Sequence, residues 1–167
     1  MFIEEIKIPN DRIAVLIGKK GTTKKFLENR LGARIKVSSS TGEISLQSDD
    51  SLNLFIARQV ISAIARGFNP DVAITLLDEQ NSFEIINIKD FSKGDIAVAR
   101  SRVIGTEGRA RKYLEQLTDT HIVVYGKTVG IIGPTKNVFI VRRAIENLLR
   151  GSKHGNVYAM LEREMKK

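Results

Sequence analysis

The chain has 167 residues, enough for one large or two small domains, and 42% of them are hydrophobic, so a packed core is within reach. Lys and Arg number 27 against 19 Asp and Glu, a net charge of +8, which points to an anionic macromolecular partner. No apolar run is long enough to span a bilayer, the start MFIEEIKIP carries two carboxylates where a secretion signal is basic and then apolar, and cysteine is absent. The expectation is a cytoplasmic, monomeric protein without membrane, disulfide framework or thiolate metal site.

In chain order, an extended segment over 2–8 leads into an apolar-periodic helix that ends at Ile17, followed by Gly18-Lys19-Lys20-Gly21. A second helix is predicted at once over 22–31, with Phe26 and Leu27 facing inward, then β-branched strands over 33–37 and 43–47. The pair Asp49/Asp50 precedes a long helix over 51–66 and reads as its cap. Between residues 69 and 82, Asn69 and Pro70 open a short connector helix to Leu77, whose Val72, Ile74, Leu76 and Leu77 distinguish it from a flexible Gly/Ser tether. This connector is expected to hold the two halves rigidly.

The same order then returns: an extended segment over 83–89, a helix ending at Ile104, Gly105-Thr106-Glu107-Gly108, and a helix over 109–118 with Tyr113 and Leu114 inward. Strands over 120–125 and 127–132 and a long helix over 136–150 complete it. A last helix over 156–165 carries Val157, Met160 and Leu161 at helical spacing.

The recurrence is an internal repeat. Residues 17–37 align without a gap on 104–124 at an offset of 87, with eight of 21 positions identical: Ile17/Ile104, Gly18/Gly105, Gly21/Gly108, Lys25/Lys112, Leu27/Leu114, Glu28/Glu115, Ile35/Ile122 and Val37/Val124. Lys24/Arg111 and Phe26/Tyr113 preserve charge and aromaticity, and Arg34 is answered by His121. Basic charge is focused in these stretches. Lys19, Lys20, Lys24, Lys25, Arg30, Arg34 and Lys36 face Glu28 alone between 17 and 37; Arg100, Arg102, Arg109, Arg111 and Lys112 face Glu107 alone between 100 and 112.

A bare Gly-x-x-Gly carries little information, and a third copy at Gly130 lies in an apolar strand with no basic flank. The first two differ because each joins two helices inside its module's basic cluster. Such a loop lets the backbone approach a sugar-phosphate chain while the following helix offers N–H groups to phosphate oxygens. Strand, helix, Gly-x-x-Gly, helix, strand, strand, helix is the layout of the KH module, which clamps about four nucleotides of single strand.

The chain thus resembles KH domains twice over, in IGKKGTTKKFLENRLGARIKV and IGTEGRARKYLEQLTDTHIVV. The implied fold is α+β: two tandem type I KH modules, each a three-stranded antiparallel sheet covered by helices, with a connector helix and a C-terminal helix. The first module is placed at 1–68, the connector at 69–82 and the second module with its terminal helix at 83–167. The family usually has an apolar residue three places after the second glycine, where Lys24 and Arg111 stand here, so the apolar role is expected to pass to Phe26 and Tyr113.

The second half, through Thr118-Asp119-Thr120-His121-Ile122-Val123, the stretch from Lys127 to Gly133, and Asn147-Leu148-Leu149, is similar to the Partner-of-Nob family of small-subunit ribosome-assembly proteins. With no long N-terminal extension, the archaeal form is the expected one. The resemblance implies single-stranded RNA as partner, at the 3′ end of small-subunit ribosomal RNA, with the Nob endonuclease and other assembly or initiation factors beside it. It implies no enzymatic activity, no cofactor and no metal.

The implied RNA-binding residues are Ile17, Gly18, Lys19, Lys20, Gly21, Lys24, Lys25, Arg34 and Lys36 in the first module. In the second they are Ile104, Gly105, Thr106, Gly108, Arg109, Arg111, Lys112 and His121. Two alternatives stand beside this reading: a KH-fold protein-interaction scaffold in RNA processing or translation initiation, and a KH protein with another RNA target.

Overall fold

In a computed structural model that describes all 167 residues, the chain divides into two compact units, Met1–Asp78 and Glu79–Lys167. In the first, strand β1 (Phe2–Lys7) leads through Pro9 into helix α1 (Asn10–Ile17), then α2 (Thr22–Leu31), β2 (Arg34–Val37), β3 (Glu43–Ser48) and α3 (Ser51–Ala65). A single turn, α4 (Pro70–Ala73), continues as a 3-10 turn over Ile74–Leu77 and packs on α3. The second unit repeats the order with β4 (Asn81–Asn87), α5 (Ile96–Ile104), α6 (Arg109–Thr118), β5 (His121–Tyr125), β6 (Thr128–Pro134), α7 (Thr135–Arg150) and an added α8 (His154–Met165).

Each unit holds one antiparallel sheet, in the orders β1-β3-β2 and β4-β6-β5, so the last strand of each inserts between the first two. Alternation sets which face meets the helices. On β3, Ile44 and Leu46 are buried, and their partners Val37 and Ile35 on β2 share that face. Arg34 and Lys36 therefore point to the opposite, open face. In the second unit Val129 and Ile131 play the same role against Val124 and Ile122, and the core is completed by Val138, Val141 and Ile145 of α7.

The helix ends are secured by local chemistry. The Asp50 carboxylate accepts from the backbone N–H of Leu52 at 2.8 Å and of Asn53 at 3.3 Å; the Asp95 carboxylate accepts from Ala97 at 2.8 Å, and Asn69 caps α4. At the far end of α3, the Arg12 guanidinium donates to the carbonyl of Ile64, which also accepts from Gly67 N–H at 3.1 Å, and to that of Phe68 just past the helix, both at 2.8 Å, tying α1 to the end of α3. One cross-layer ion pair recurs in both units, Arg58 with Glu4 and Arg142 with Glu84, tying the closing helix to the first strand. No helix is long and apolar enough to cross a membrane.

The expected inward placement of Phe26 and Tyr113 is corrected. Leu27 and Leu114 are fully buried, but Phe26 is 38% exposed, with the Arg30 guanidinium 5.6 Å from its ring centre. Tyr113 sits edge-on to Tyr158 of α8, and its hydroxyl donates to the Glu162 carboxylate at 2.6 Å, which pushes the phenol above its ordinary pKa. The 3.6-residue period explains the difference: Leu27 and Leu31 form the core stripe of α2, and a residue next to Leu27 is turned by about 100° from it.

Candidate nucleic-acid interface

Both glycine loops lie at helix junctions and share one geometry. Gly18 and Gly105 end their helices at φ 74°, ψ 177° and φ 75°, ψ 174°, a region that only glycine enters readily. Their N–H groups still donate to the preceding helix, to Ala14 at 2.9 Å and Ser101 at 2.8 Å, while Gly21 and Gly108 donate to the carbonyls of Gly18 and Gly105, each at 3.2 Å. A Cβ on Gly18 would stand 2.1 Å from Thr23 Oγ1, and one on Gly105 2.6 Å from the Ala110 Cβ, so the first glycine of each loop is pressed onto the next helix. At Gly21 a Cβ would meet nothing within 4 Å: that side of the loop is open.

The middle residues complete the match. Lys20 and Glu107 both adopt left-handed backbone at φ 56°, uncommon for residues other than glycine, asparagine and aspartate. The turn holds their side chains outward, exposed beside Lys19 and Thr106. Chemically the loops diverge. The first presents two lysines, whereas the second presents a carboxylate that pairs with Arg109 at 3.3 Å; both partners of that pair are about three-quarters exposed, so it contributes little.

Lys24 and Arg111 are engaged within their own modules. The Lys24 ammonium lies 3.4 Å from the Glu28 carboxylate, and the Arg111 guanidinium donates to the Glu115 carboxylate at 2.7 Å. The other oxygen of each carboxylate accepts from the next strand, Glu28 from Ile35 N–H at 2.9 Å and Glu115 from Ile122 N–H at 2.8 Å. The helix after each glycine loop is thus welded to the strand beside it. Replacing Glu115 with alanine, which orphans the Ile122 N–H and strips Arg111 of its partner, is expected to cost about 2 kcal/mol. Glutamine, which keeps an acceptor, should cost well under half of that; equal urea midpoints for the two variants would refute the weld.

Of the remaining predicted positions, Lys25, Arg109 and Lys112 are exposed on the first turn or so after the loops, and Ile17 and Ile104 are half-buried immediately before them. Arg34 and Lys36 are exposed on the open face of the first sheet, and His121 is exposed at the start of β5 although its partner Ile132 is buried, so the structure divides the predicted residues between the loops and the strands. Behind the loops, equivalent clefts are lined by Val15, Thr23 and Phe26 in the first unit and by Arg102, Ala110 and Tyr158 in the second. No group of His, Cys, Asp or Glu side chains is placed to hold a metal ion.

Comparison with known proteins agrees with this geometry in both halves. Residues 82–166 match the model described as eukaryotic type KH-domain (KH-domain type I), specifically the second KH domain of PNO1, and residues 3–63 match the KH domain model. A KH domain-containing protein of Methanocaldococcus jannaschii is 42% identical over 171 residues, covering 99% of this chain and 75% of the relative. The RNA-binding protein pno1 of Dictyostelium discoideum is 30% identical over 167 residues, covering 95% and 70%.

The chain belongs to the PNO1/Dim2 family of tandem KH proteins. Among other members, the pre-rRNA-processing protein PNO1 of Coccidioides immitis is 30% identical over 138 residues, covering 79% of this chain and 54% of the relative. A crystal structure of a complex of a/eIF2alpha, aDim2p and rRNA from Pyrococcus horikoshii contains a chain that superposes with a TM-score of 0.92 at 46% identity, covering 99% of this chain and 94% of that one. The PNO1/Dim2 proteins are a KH RNA-binding family without enzymatic activity.

Proposed function

We propose that this PNO1/Dim2 protein binds single-stranded RNA through both KH modules, at the 3′ end of small-subunit ribosomal RNA during ribosome assembly, in the cytoplasm. The observation that carries the reading is the pair of loops with one backbone geometry, each pressed onto its helix at the first glycine, with open space at Gly21 and only the ends of the Lys112 and Arg111 side chains near Gly108. Open loop backbone followed by a helix N-terminus suits a phosphodiester chain. The Pyrococcus complex, which holds rRNA and an initiation-factor subunit, supports ribosomal RNA as the target and that factor as a neighbour. The Nob endonuclease belongs to the same proposed assembly.

The test is affinity against RNA length, using the small-subunit 3′-terminal sequence and scrambled controls with the intact chain. Two modules reading one strand predict a rise in affinity that continues beyond roughly eight nucleotides, about four per module. A plateau at four, or equal affinity for scrambled RNA, would defeat joint reading of that sequence. A competing scaffold role draws on Leu52 and Phe55 of α3, 61% and 58% exposed; it would be favoured by a chain that binds no RNA of any sequence at low salt.

A further inference from the structure

The two modules differ in where they keep unpaired positive charge. In the second, the hairpin turn Gly126–Lys127 is closed by Thr128 Oγ1 donating to the Tyr125 carbonyl at 3.0 Å, and the Lys127 carbonyl accepts from Ile88 N–H at 3.0 Å. Lys89 follows directly, its N–H held by Asn87 Oδ1 at 3.2 Å. Backbone hydrogen bonds therefore set two lysines side by side, and the Lys89 amine beside it holds the Lys127 ammonium below its ordinary pKa. Both are exposed, and neither takes part in any ion pair of the chain. Two adjacent ammonium groups without a counter-charge are unfavourable until an anion bridges them.

A third cation lies along the helix between this pair and the glycine loop. The 3-10 turn Ile88–Asp90 packs on α5, which begins after the intervening loop 91–95 and rises about 13 Å to Gly105. On α5, Arg100 stands one turn before Ile104 and on its face, away from the face of Val98 and Arg102 that lines the cleft with Tyr158. Its Nε is enclosed yet has no hydrogen-bond partner. The residue is only half-buried and takes part in no ion pair of the chain, so its positive charge has no partner within the module.

The first module has none of these cations. Ile8 N–H donates to the Gly42 carbonyl at 2.9 Å in the counterpart of the Ile88–Lys127 bond, so Gly42 answers Lys127 and Pro9 answers Lys89, while the repeat offset puts buried Ile13 at the place of Arg100. The exchange is reciprocal. Where the first module has Lys19 and Lys20 in its loop, the second has Thr106 and Glu107.

We propose that Lys89, Lys127 and Arg100 form a phosphate-binding track along α5 of the second module, which holds RNA backbone in place of the lysines missing from that module's glycine loop. The inference rests on the RNA-binding reading above and adds to it the residues by which the acidic-loop module grips its strand. Because the contacts are to phosphodiester oxygens, the track is indifferent to base sequence.

The test uses the full chain with Lys89→Gln/Lys127→Gln, against a 3′-terminal small-subunit RNA and a polyuridine RNA of equal length, over a range of salt. Affinity should fall by about tenfold on both RNAs, and the slope of log affinity against log salt should become shallower by about 1.4, or 0.7 for each lost phosphate contact. Arg100→Gln should weaken binding further, with thermal unfolding run alongside to separate binding loss from destabilisation. Unchanged affinity and slope in the lysine variant, while charge removal at Lys19 and Lys20 still weakens binding, would overturn the track and leave RNA binding standing. A loss confined to one RNA sequence would also overturn it, as would failure of the intact protein to bind either RNA, which alone takes the RNA reading with it.

Discussion

Replacing Lys19 and Lys20 together with aspartate is expected to weaken RNA binding by roughly a hundredfold at 0.1 M salt while leaving the fold intact, because each change removes one phosphate contact and adds a repulsive charge. The backbone makes this a clean experiment. Both side chains are exposed, and Lys20 occupies left-handed backbone at φ 56° that aspartate tolerates better than lysine does. Lys20→Gly is the matched control: it should hold or raise the unfolding midpoint and still lower affinity. Glu107→Lys, the reverse change in the second loop, should tighten binding several-fold and steepen its salt dependence. If the double aspartate variant keeps wild-type affinity by fluorescence anisotropy, the first loop does not hold the RNA backbone.

Gly18→Ala is expected to destabilise the protein by about 2–4 kcal/mol, one of the largest effects available to a single methyl group here. The glycine sits at φ 74°, ψ 177°, and its new Cβ would meet Thr23 Oγ1 at 2.1 Å and the Thr23 backbone nitrogen at 2.9 Å. The side chain could rotate away, but the backbone nitrogen belongs to the first turn of α2 and cannot. Gly105→Ala meets the Ala110 nitrogen at 2.7 Å and should behave alike. Gly21→Ala faces open space and left-handed φ alone, so about 1–2 kcal/mol is expected. Urea unfolding of the three variants checks the order; equal losses at Gly18 and Gly21 would show that packing of the loop onto α2 is not what the first glycine serves.

The features legible in the amino-acid sequence are those that are local or duplicated. Helix and strand order follows from apolar spacing, and the ends at Ile17 and Ile104 from the glycines that no helix interior favours, so the observed elements start and stop within a few residues of their predicted bounds. The Asp50 and Asn69 caps are legible because a cap acts on the two or three residues that follow it. The repeat does more than either. A loop that is uninformative once becomes informative when the same offset carries Leu27/Leu114, Glu28/Glu115 and Ile35/Ile122 with it.

Partnerships between elements are a different matter. That Lys24 and Arg111 are bound by carboxylates one turn away, and that the same carboxylates hold the Ile35 and Ile122 amides seven residues on, depends on how a helix lies against a strand, which no periodicity encodes. Arg34 and Lys36 fall on the open sheet face because the register of β2 against β3 turns Ile35 and Val37 inward. Lys89 and Lys127 lie 38 positions apart in sequence and read singly as two solvated lysines; only the pairing of Ile88 with the hairpin turn makes them neighbours. Spacing and composition along the chain are enough to establish the two KH modules, their loops and their net charge. Which cations are already neutralised, and which remain free for an anion, is settled by the folded arrangement alone, because charge pairing is set by distances across the fold and those close only when the sheet register and helix packing are in place.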